Sequence, residues 1–383
     1  MMTNAGFRRV ILALGAITQG ACSGLGYYVQ SIDGQLGLLA KREPITRLVE
    51  DAGLGEDLRA TLRTVLDIRT FASQELHLPD NASYRTYADV GRSHAVWVVF
   101  ATPEFSLHPR EWCFPVVGCV SYRGYFSAHA ASRYAGKLSS AGYDTYVGGV
   151  RAFSTLGWFA DPLLSTMLDQ SPTALVAMIF HELAHQRLYI KGDTRFNEAF
   201  AVTVEREGVE RWLRAWGDRE ALQTYRRSAA QHEHFLSLID VTRDQLTTLY
   251  RQPLATQDKR RYKAQIFRGL QQAVKRSEAL HQTADYERWV AAGPNNAKLA
   301  SVATYYDLVP AFQRLLAFHE YDLVAFYRAC ETLAALATDE RNTLLAELLD
   351  GPSMAQPNAA AGTRGTPPTE PPAVLGGGSF GNG

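Results

Sequence analysis

Two histidines and a glutamate form the clearest candidate for chemistry in this sequence. His181 and His185 are four residues apart, and Glu182 directly follows the first of them. On a helix, residues four apart project from the same face, so both imidazoles can bind one metal ion. Glu182 can then take a proton from a water that the metal activates. The pattern predicts a zinc site that carries out hydrolysis.

The third ligand is predicted from the spacing that follows this motif. Twelve residues separate His185 from Glu198. If the first helix continues to about Ile190 and residues 191–193 turn the chain, a second helix runs back and brings Glu198 beside His185. Two histidines, one carboxylate and an open fourth position form the arrangement of catalytic zinc. Asn197 is a candidate for orienting the ligands from outside.

Simpler interpretations exist for each of these residues. His181 and His185 could be hydrogen-bonded helical histidines without a ligand, and Glu198 could be a first-turn acid that the helix dipole favours. The agreement of helix, turn and third carboxylate favours the metal site, and we expect one Zn²⁺ per chain. His232 and His234 are only two residues apart, so on a helix they face different ways, and we expect both to be solvated.

The rest of the sequence indicates the elements that must position these residues. Residues 27–80, 128–141, 172–216 and most of 219–350 have helical patterns, with a break at 293–296. Ser171 and Pro172 are expected at the start of the helix that bears the two histidines. Strand-like segments rich in β-branched and aromatic residues lie at 95–101, 116–120, 122–126 and 144–150. The predicted fold class is α+β, mostly helical with a small mixed β-sheet.

The N-terminus is typical of an exported protein. Arg8 and Arg9 precede a short apolar run, and small residues follow before Cys22, so residues 1–21 are predicted to be a signal peptide. The end of this segment resembles the lipobox of bacterial lipoproteins, which predicts lipidation of Cys22 and a membrane anchor. Gln19 departs from that pattern, because Leu, Val or Ile is usual there. A buried N-terminal helix is the alternative.

Composition bounds the remaining organisation. The chain has 383 residues with 39 Lys and Arg against 39 Asp and Glu, so it lacks the basic excess of a nucleic-acid binder. Residues 351–383 are rich in proline and glycine and are predicted to be disordered. We therefore expect one domain over residues 22–350.

Two cysteines near the strand-like segments are a candidate pair. Cys113 and Cys119 are separated by five residues that include proline and glycine. An oxidising compartment would permit a disulfide between them, and we favour it over a zinc pair or two free thiols. Cys330 is expected to be a buried free thiol.

Several longer sequence segments resemble a known family. They include residues 26–28, 34–36, 78–81, 103–107, 112–115, 118–120, 122–125, 154–159, 180–186, 196–198 and 309–312. Together they resemble the bacterial family of putative zinc aminopeptidases, which are predicted lipoproteins. The resemblance implies a zincin-like fold and an exported, membrane-attached enzyme that acts on peptides. The location it implies is the periplasmic side of the Gram-negative envelope, as an outer-membrane lipoprotein.

Further roles are assigned on mechanistic grounds. A hydrogen-bond donor is needed to stabilise the tetrahedral oxyanion, and Tyr305, Tyr306 and Tyr125 are the candidates. An aminopeptidase must also bind a free α-ammonium group, for which Glu104 is the candidate. Two alternatives remain open: an endopeptidase of the envelope, and a zinc-binding lipoprotein scaffold without activity. Glu182 argues against the scaffold, because a structural zinc site has no use for a general base.

Overall fold

The computed structural model describes residues 34, 36–114, 118–152, 155–280 and 284–350. The strands are β1 (Glu43–Pro44), β2 (Thr86–Ala88), β3 (Val96–Pro103), β4 (Trp112–Phe114), β5 (Gly118–Val120), β6 (Arg123–Tyr125), β7 (Tyr143–Val150) and β8 (Leu163–Leu164). The first helices are α1 (Ile45–Leu48), α2 (Glu56–Gln74), α3 (Ala128–Ser140), α4 (Ser165–Leu168), α5 (Pro172–Arg187), α6 (Thr194–Ala215) and α7 (Arg219–Arg251). The last are α8 (Thr256–Arg276), α9 (Ala284–Ala291), α10 (Asn296–Tyr306), α11 (Val309–Phe318), α12 (Leu323–Ala335) and α13 (Thr338–Asp350).

Strand β3 lies at the centre of an antiparallel sheet of order β6-β3-β7. Successive side chains of a strand point to opposite faces, and here both faces are covered. Val96, Val98 and Phe100 pack in the main core, whereas Val99 and Ala101 pack in a smaller core with residues of α3. The sheet therefore separates two apolar layers. Two smaller sheets accompany it, a mixed one of order β1-β2-β8 and the hairpin β4-β5.

Helices α5 and α6 contribute many of the buried residues of the main core. The Ser171 hydroxyl accepts a hydrogen bond from the Ala174 amide at 3.3 Å, and Pro172 occupies the first turn of α5, as predicted. One face of this helix is buried and apolar, with Leu175, Val176, Ile179, Phe180, Leu183 and Ala184. Burying each large apolar side chain contributes about 1.5–3 kcal/mol. This burial fixes the rotation of α5, and with it the direction in which the two histidines point.

The predicted fold class is confirmed, since the chain is α+β and mostly helical with small mixed sheets. The helix predicted at 128–141 is α3, and the break at 293–296 separates α9 from α10. The continuous helical region predicted before residue 80 is partly wrong. Residues 43–48 form the short strand β1 and the single turn α1, and Pro44 precedes α1 because proline has no amide hydrogen to donate within a helix.

Several predictions concern parts of the chain outside the described residues. They are the signal peptide at 1–21, the lipidation site Cys22 and the tail at 351–383. Among the helices that the structure describes, none combines the length and the apolar character needed to cross a membrane.

The predictions for Cys113, Cys119 and Cys330 are confirmed. Cys113 and Cys119 are paired residues of β4 and β5 and form a disulfide bond. Cys330 is a buried free thiol in α12. The disulfide hairpin lies against the turn between α5 and α6, because a Cβ atom added at Gly118 would lie 2.8 Å from the backbone nitrogen of Gly192.

Candidate metal centre

The turn between α5 and α6 is closed by side chains of α6. Helix α5 ends at Arg187, three residues before the predicted end at Ile190. The Asn197 side chain accepts a hydrogen bond from the Ile190 amide at 2.7 Å and donates one to its carbonyl at 2.8 Å. Asp193 caps α6 by accepting from the Phe196 amide at 3.1 Å. The antiparallel pair predicted from the spacing is therefore present, and Asn197 bonds to the turn.

This hairpin brings the three predicted ligands together. Ligand atoms of His181, His185 and Glu198 all lie within 4.8 Å of one another. The Glu198 Oε2 atom lies 3.3 Å from Nε2 of His181 and 3.5 Å from Nε2 of His185. Only 8% of His185 and 6% of Glu198 is exposed, and His181 is half-buried.

Glu205 is a further member of the centre that the sequence analysis missed. The His181 Nδ1 atom lies 3.0 Å from Oε2 of Glu205 and donates to it. This bond would keep a proton on Nδ1 and leave Nε2 to bind a metal ion, and such carboxylate contacts orient metal-binding histidines. Glu205 is seven residues after Glu198, two helical turns along the same face of α6. That spacing is the signal that could have identified it.

The charges of the centre are strongly coupled. Burial alone would raise the pKa of Glu198, but the neighbouring imidazoles lower it to about 2. Burial lowers the pKa of His181, yet Glu198 and Glu205 outweigh this effect and raise it well above its ordinary value. The cluster on its own therefore holds a proton between His181 and the carboxylates. A bound divalent cation would take the place of that proton.

The residues of the cluster fit a metal ion. Glu198 Oε2 and His185 Nδ1 are buried, and within the described part of the chain neither has a partner in good hydrogen-bond geometry; the imidazoles nearest to Oε2 lie at 3.3 and 3.5 Å. Burying a carboxylate oxygen without a donor is costly unless a cation is nearby. Two imidazoles and one carboxylate are also the donor set of catalytic zinc. The cluster of His181, His185 and Glu198 could thus hold one metal ion.

Comparison with known families agrees with this geometry. The family described as "Putative aminopeptidase" matches residues 26–345. The chain belongs to this putative aminopeptidase family. No curated protein and no solved structure is significantly similar to it. The family suggests a peptidase, and the match covers every residue of the candidate centre.

Glu182, the predicted general base, follows the ligand His181 on α5. Burial raises the pKa of its carboxyl group, the imidazoles of His181 and His185 lower it, and the negative charges of Glu198 and Asp161 raise it further. The net effect is a raised pKa, and a carboxyl group in this state can exchange protons more readily near neutral pH.

Of the candidate oxyanion donors, Tyr305 interacts electrostatically with both Glu198 and Glu182. Burial and then the charges of Glu198 and Glu182 raise its pKa well above the ordinary value. Burial and the charge of Glu205 raise the pKa of Tyr306, whose ring lies 4.6 Å from that of His232. Both hydroxyls therefore remain protonated, as a hydrogen-bond donor must.

The other two candidates for substrate contact lie in different surroundings. The Glu104 carboxylate accepts two hydrogen bonds from Arg260, at 2.6 and 3.0 Å. Tyr125 is buried on β6 in the smaller core, and its ring lies 5.7 Å from that of Tyr134. Glu104 is thus paired with a residue of α8, and Tyr125 packs within an apolar cluster. Their roles in substrate binding stay predictions.

The prediction that His232 is solvated is wrong, whereas His234 is exposed as predicted. The ring of His232 packs between aromatic side chains of α7, α9 and α10, namely Phe235, Tyr286 and Tyr306. Burial and the charge of Arg206 lower its pKa to about 4. Spacing along one helix could not reveal this, because the rings that cover His232 come mainly from other helices.

Proposed function

We propose that this protein is a zinc-dependent aminopeptidase of the cell envelope. The observation that carries the proposal is the buried cluster of His181, His185 and Glu198 with Glu182 beside it on α5. Membership of the putative aminopeptidase family supports the choice of peptides as substrates. A zincin-like fold is part of the same proposal.

One Zn²⁺ would be held by His181, His185 and Glu198. When bound, the ion supplies a Lewis acid that lowers the pKa of water toward about 7 and polarises the peptide carbonyl. Glu205 keeps the His181 ring in the required tautomer and orientation.

The protein's own residues then move the protons. Glu182 accepts a proton from the water that attacks the carbonyl carbon, and it returns this proton to the leaving nitrogen as the C–N bond breaks. Its raised pKa suits both steps. Tyr305 donates a hydrogen bond to the developing oxyanion, since its hydroxyl remains protonated.

The location is part of the proposal and is supported by the sequence. Residues 1–21 would direct export, and lipidation of Cys22 would attach the enzyme to the periplasmic side of the outer membrane. The disulfide between Cys113 and Cys119 is compatible with an oxidising compartment.

An envelope endopeptidase is the second candidate. Glu104 is the predicted partner of the substrate's α-ammonium group, but its carboxylate already forms an ion pair with Arg260. This observation favours an endopeptidase, which does not need to bind a free N-terminus. Peptides with free and with acetylated N-termini separate the two activities.

The test compares the full-length wild type with Glu182→Gln, which keeps all three ligands and removes only the base. We expect both proteins to bind about one zinc per chain, and kcat on leucine amide to fall by about 10²–10⁴-fold in the variant. If both bind zinc and neither hydrolyses leucine amide or longer peptides, the protein is a zinc-binding scaffold. If the wild type does not cleave leucine amide but cleaves longer peptides whether or not their N-terminus is acetylated, it is an endopeptidase.

A further inference from the structure

Two neighbouring aromatic side chains project into solvent from the loop at residues 155–161. Trp158 is 72% exposed and Phe159 is 51% exposed. Single exposed apolar residues are common, but two adjacent large ones on an ordered loop form a patch of the kind that contacts ligands. The loop overlaps residues 154–159, one of the segments that resemble the putative aminopeptidase family. None of its residues has a role in the proposed hydrolysis.

The loop has a fixed conformation. Asp161 accepts hydrogen bonds from the Thr155 amide at 2.9 Å and from its hydroxyl at 2.8 Å. The Phe159 amide donates to the Thr155 hydroxyl at 3.1 Å. Leu156 and Gly157 adopt left-handed backbone angles, with φ of 56° and 81°. Because the loop is already ordered, a ligand that contacts it need not bear the cost of ordering it.

The loop is attached to the helix that carries the metal ligands. Gln186 of α5 donates to the Asp161 carboxylate at 3.4 Å, and a Cβ atom added at Gly157 would lie 3.9 Å from Cγ of Gln186. The side-chain amide nitrogen of Asn81 donates a hydrogen bond of 2.7 Å to the side-chain oxygen of Gln186. Gln186 is four residues after Glu182, so both project from the same face of α5. The loop therefore lies along the face that presents the general base.

The direction of proton transfer then orients a substrate relative to the loop. Glu182 must deliver its proton to the leaving nitrogen, so that nitrogen lies on the Glu182 face of the centre. The leaving nitrogen belongs to the residue that follows the cleaved bond. The peptide downstream of this bond therefore passes over the face of α5 along which the loop lies.

We propose that Trp158 and Phe159 determine specificity by contacting an apolar side chain of the residue that follows the cleaved bond. This inference rests on the proposed peptidase function and adds a substrate class to it. The enzyme would prefer peptides with leucine or phenylalanine at that position over peptides with glycine. Apolar contacts of this size are worth about 10- to 200-fold in kcat/KM.

Three substrates that differ only after the cleaved bond provide the test: leucine amide, leucyl-glycine amide and leucyl-phenylalanine amide. We expect the wild type to prefer the last over the second. In Trp158→Ala and Phe159→Ala, kcat/KM for leucyl-phenylalanine amide should fall about tenfold or more. For leucine amide, which has no residue after the cleaved bond, it should stay within about twofold of wild type. Trp158→Phe should retain most of the preference.

Phe318→Ala provides the matched control, because Phe318 is also exposed, at 68%, but lies at the end of α11. It should leave all three rates unchanged. Equal changes for the three substrates in the loop variants, or no change, would overturn the inference while leaving the peptidase function intact. Loss of binding to lipid vesicles with unchanged rates would also overturn it, since the loop would then be a membrane contact. If wild type loaded with zinc hydrolyses none of the three, both proposals fail.

Discussion

Two turns of the molecule share the same kind of hydrogen bonding but have different roles. They are the turn between α5 and α6 and the loop at 155–161. Each contains a glycine with a left-handed backbone, Gly192 or Gly157. Each is closed by one buried polar side chain that makes two hydrogen bonds to a single residue, Asn197 to Ile190 and Asp161 to Thr155.

The difference lies in where the remaining side chains of each segment go. Ile190 of the turn packs against the main core, and the adjoining helices direct polar ligands toward one another. The loop instead leaves Trp158 and Phe159 in solvent. A turn whose apolar groups are buried stabilises the fold. A loop whose large apolar groups are exposed can bind a ligand. Breaking either segment should therefore have separable consequences.

The largest effect is expected for Glu198→Ala. It removes a ligand and also leaves the two imidazoles without their carboxylate. Zinc affinity should therefore fall by more than the 10–100-fold that is typical when a residue hydrogen-bonded to a ligand is replaced. Zinc content after dialysis against a chelator measures this. Glu207→Ala, on the same helix but paired with Arg211, is the control and should keep its zinc. An undiminished zinc content in Glu198→Ala would contradict the proposed ligand set.

A smaller effect on the same centre is expected for Glu205. Replacing it by alanine removes the hydrogen bond to His181, so zinc affinity should fall by about 10–100-fold. Glu205→Gln keeps an oxygen that can accept the same bond, and it should recover most of the loss. Competition with a zinc chelator measures both variants. Equal losses in the two would show that the charge of Glu205, and not its hydrogen bond, matters.

Asn197→Ala and Thr155→Ala compare the two segments directly. Each removes hydrogen bonds that close a turn, which should cost about 1–3 kcal/mol for the groups left without partners. Only Asn197→Ala should also weaken zinc binding, because only that turn positions the ligands. Urea unfolding and chelator competition on both variants test this. If both variants bind zinc with similar affinity, the turn between α5 and α6 does not position the ligands any more than the loop at 155–161 does.

The smallest effect concerns His232, which lies in neither segment. Its pKa is lowered to about 4 by burial and by Arg206, whereas an unfolded histidine titrates near about 6.5. Between these values the unfolded state binds more protons, so stability should decrease as the pH falls from about 6.5 to 4. His232→Gln should reduce this slope in the free energy of unfolding, and the exposed His234→Gln should not. An unchanged slope would show that His232 does not contribute to the acid sensitivity.

The spacing within residues 181–198 was enough to predict the ligands, because both constraints are local. The four-residue repeat of a helix aligns His181 with His185, and a turn of known length returns the chain to Glu198. The disulfide was predictable for the same reason, since only five residues separate Cys113 from Cys119. Helix α5 ended early because Asn197 bonds to Ile190 in the turn, a contact that the apolar pattern does not encode.

Contacts with distant parts of the chain could not be predicted in this way. Glu104 is paired with Arg260, and His232 is covered by Tyr286 and Tyr306. A sequence gives the type of such residues, but it does not give the helices that pack against them. The break at 293–296 did predict the start of α10, which carries Tyr305, but the role of Tyr305 stays a prediction.

The most direct test of the central claim is zinc X-ray absorption on the full-length protein loaded with one equivalent of zinc. If His181, His185 and Glu198 bind the ion, the spectrum will show imidazole nitrogen and oxygen ligands at about 2.0–2.2 Å. His185→Ala should lose part of the imidazole signal. A spectrum with sulfur at about 2.3 Å, or one that His185→Ala leaves unchanged, would place zinc elsewhere and contradict the account.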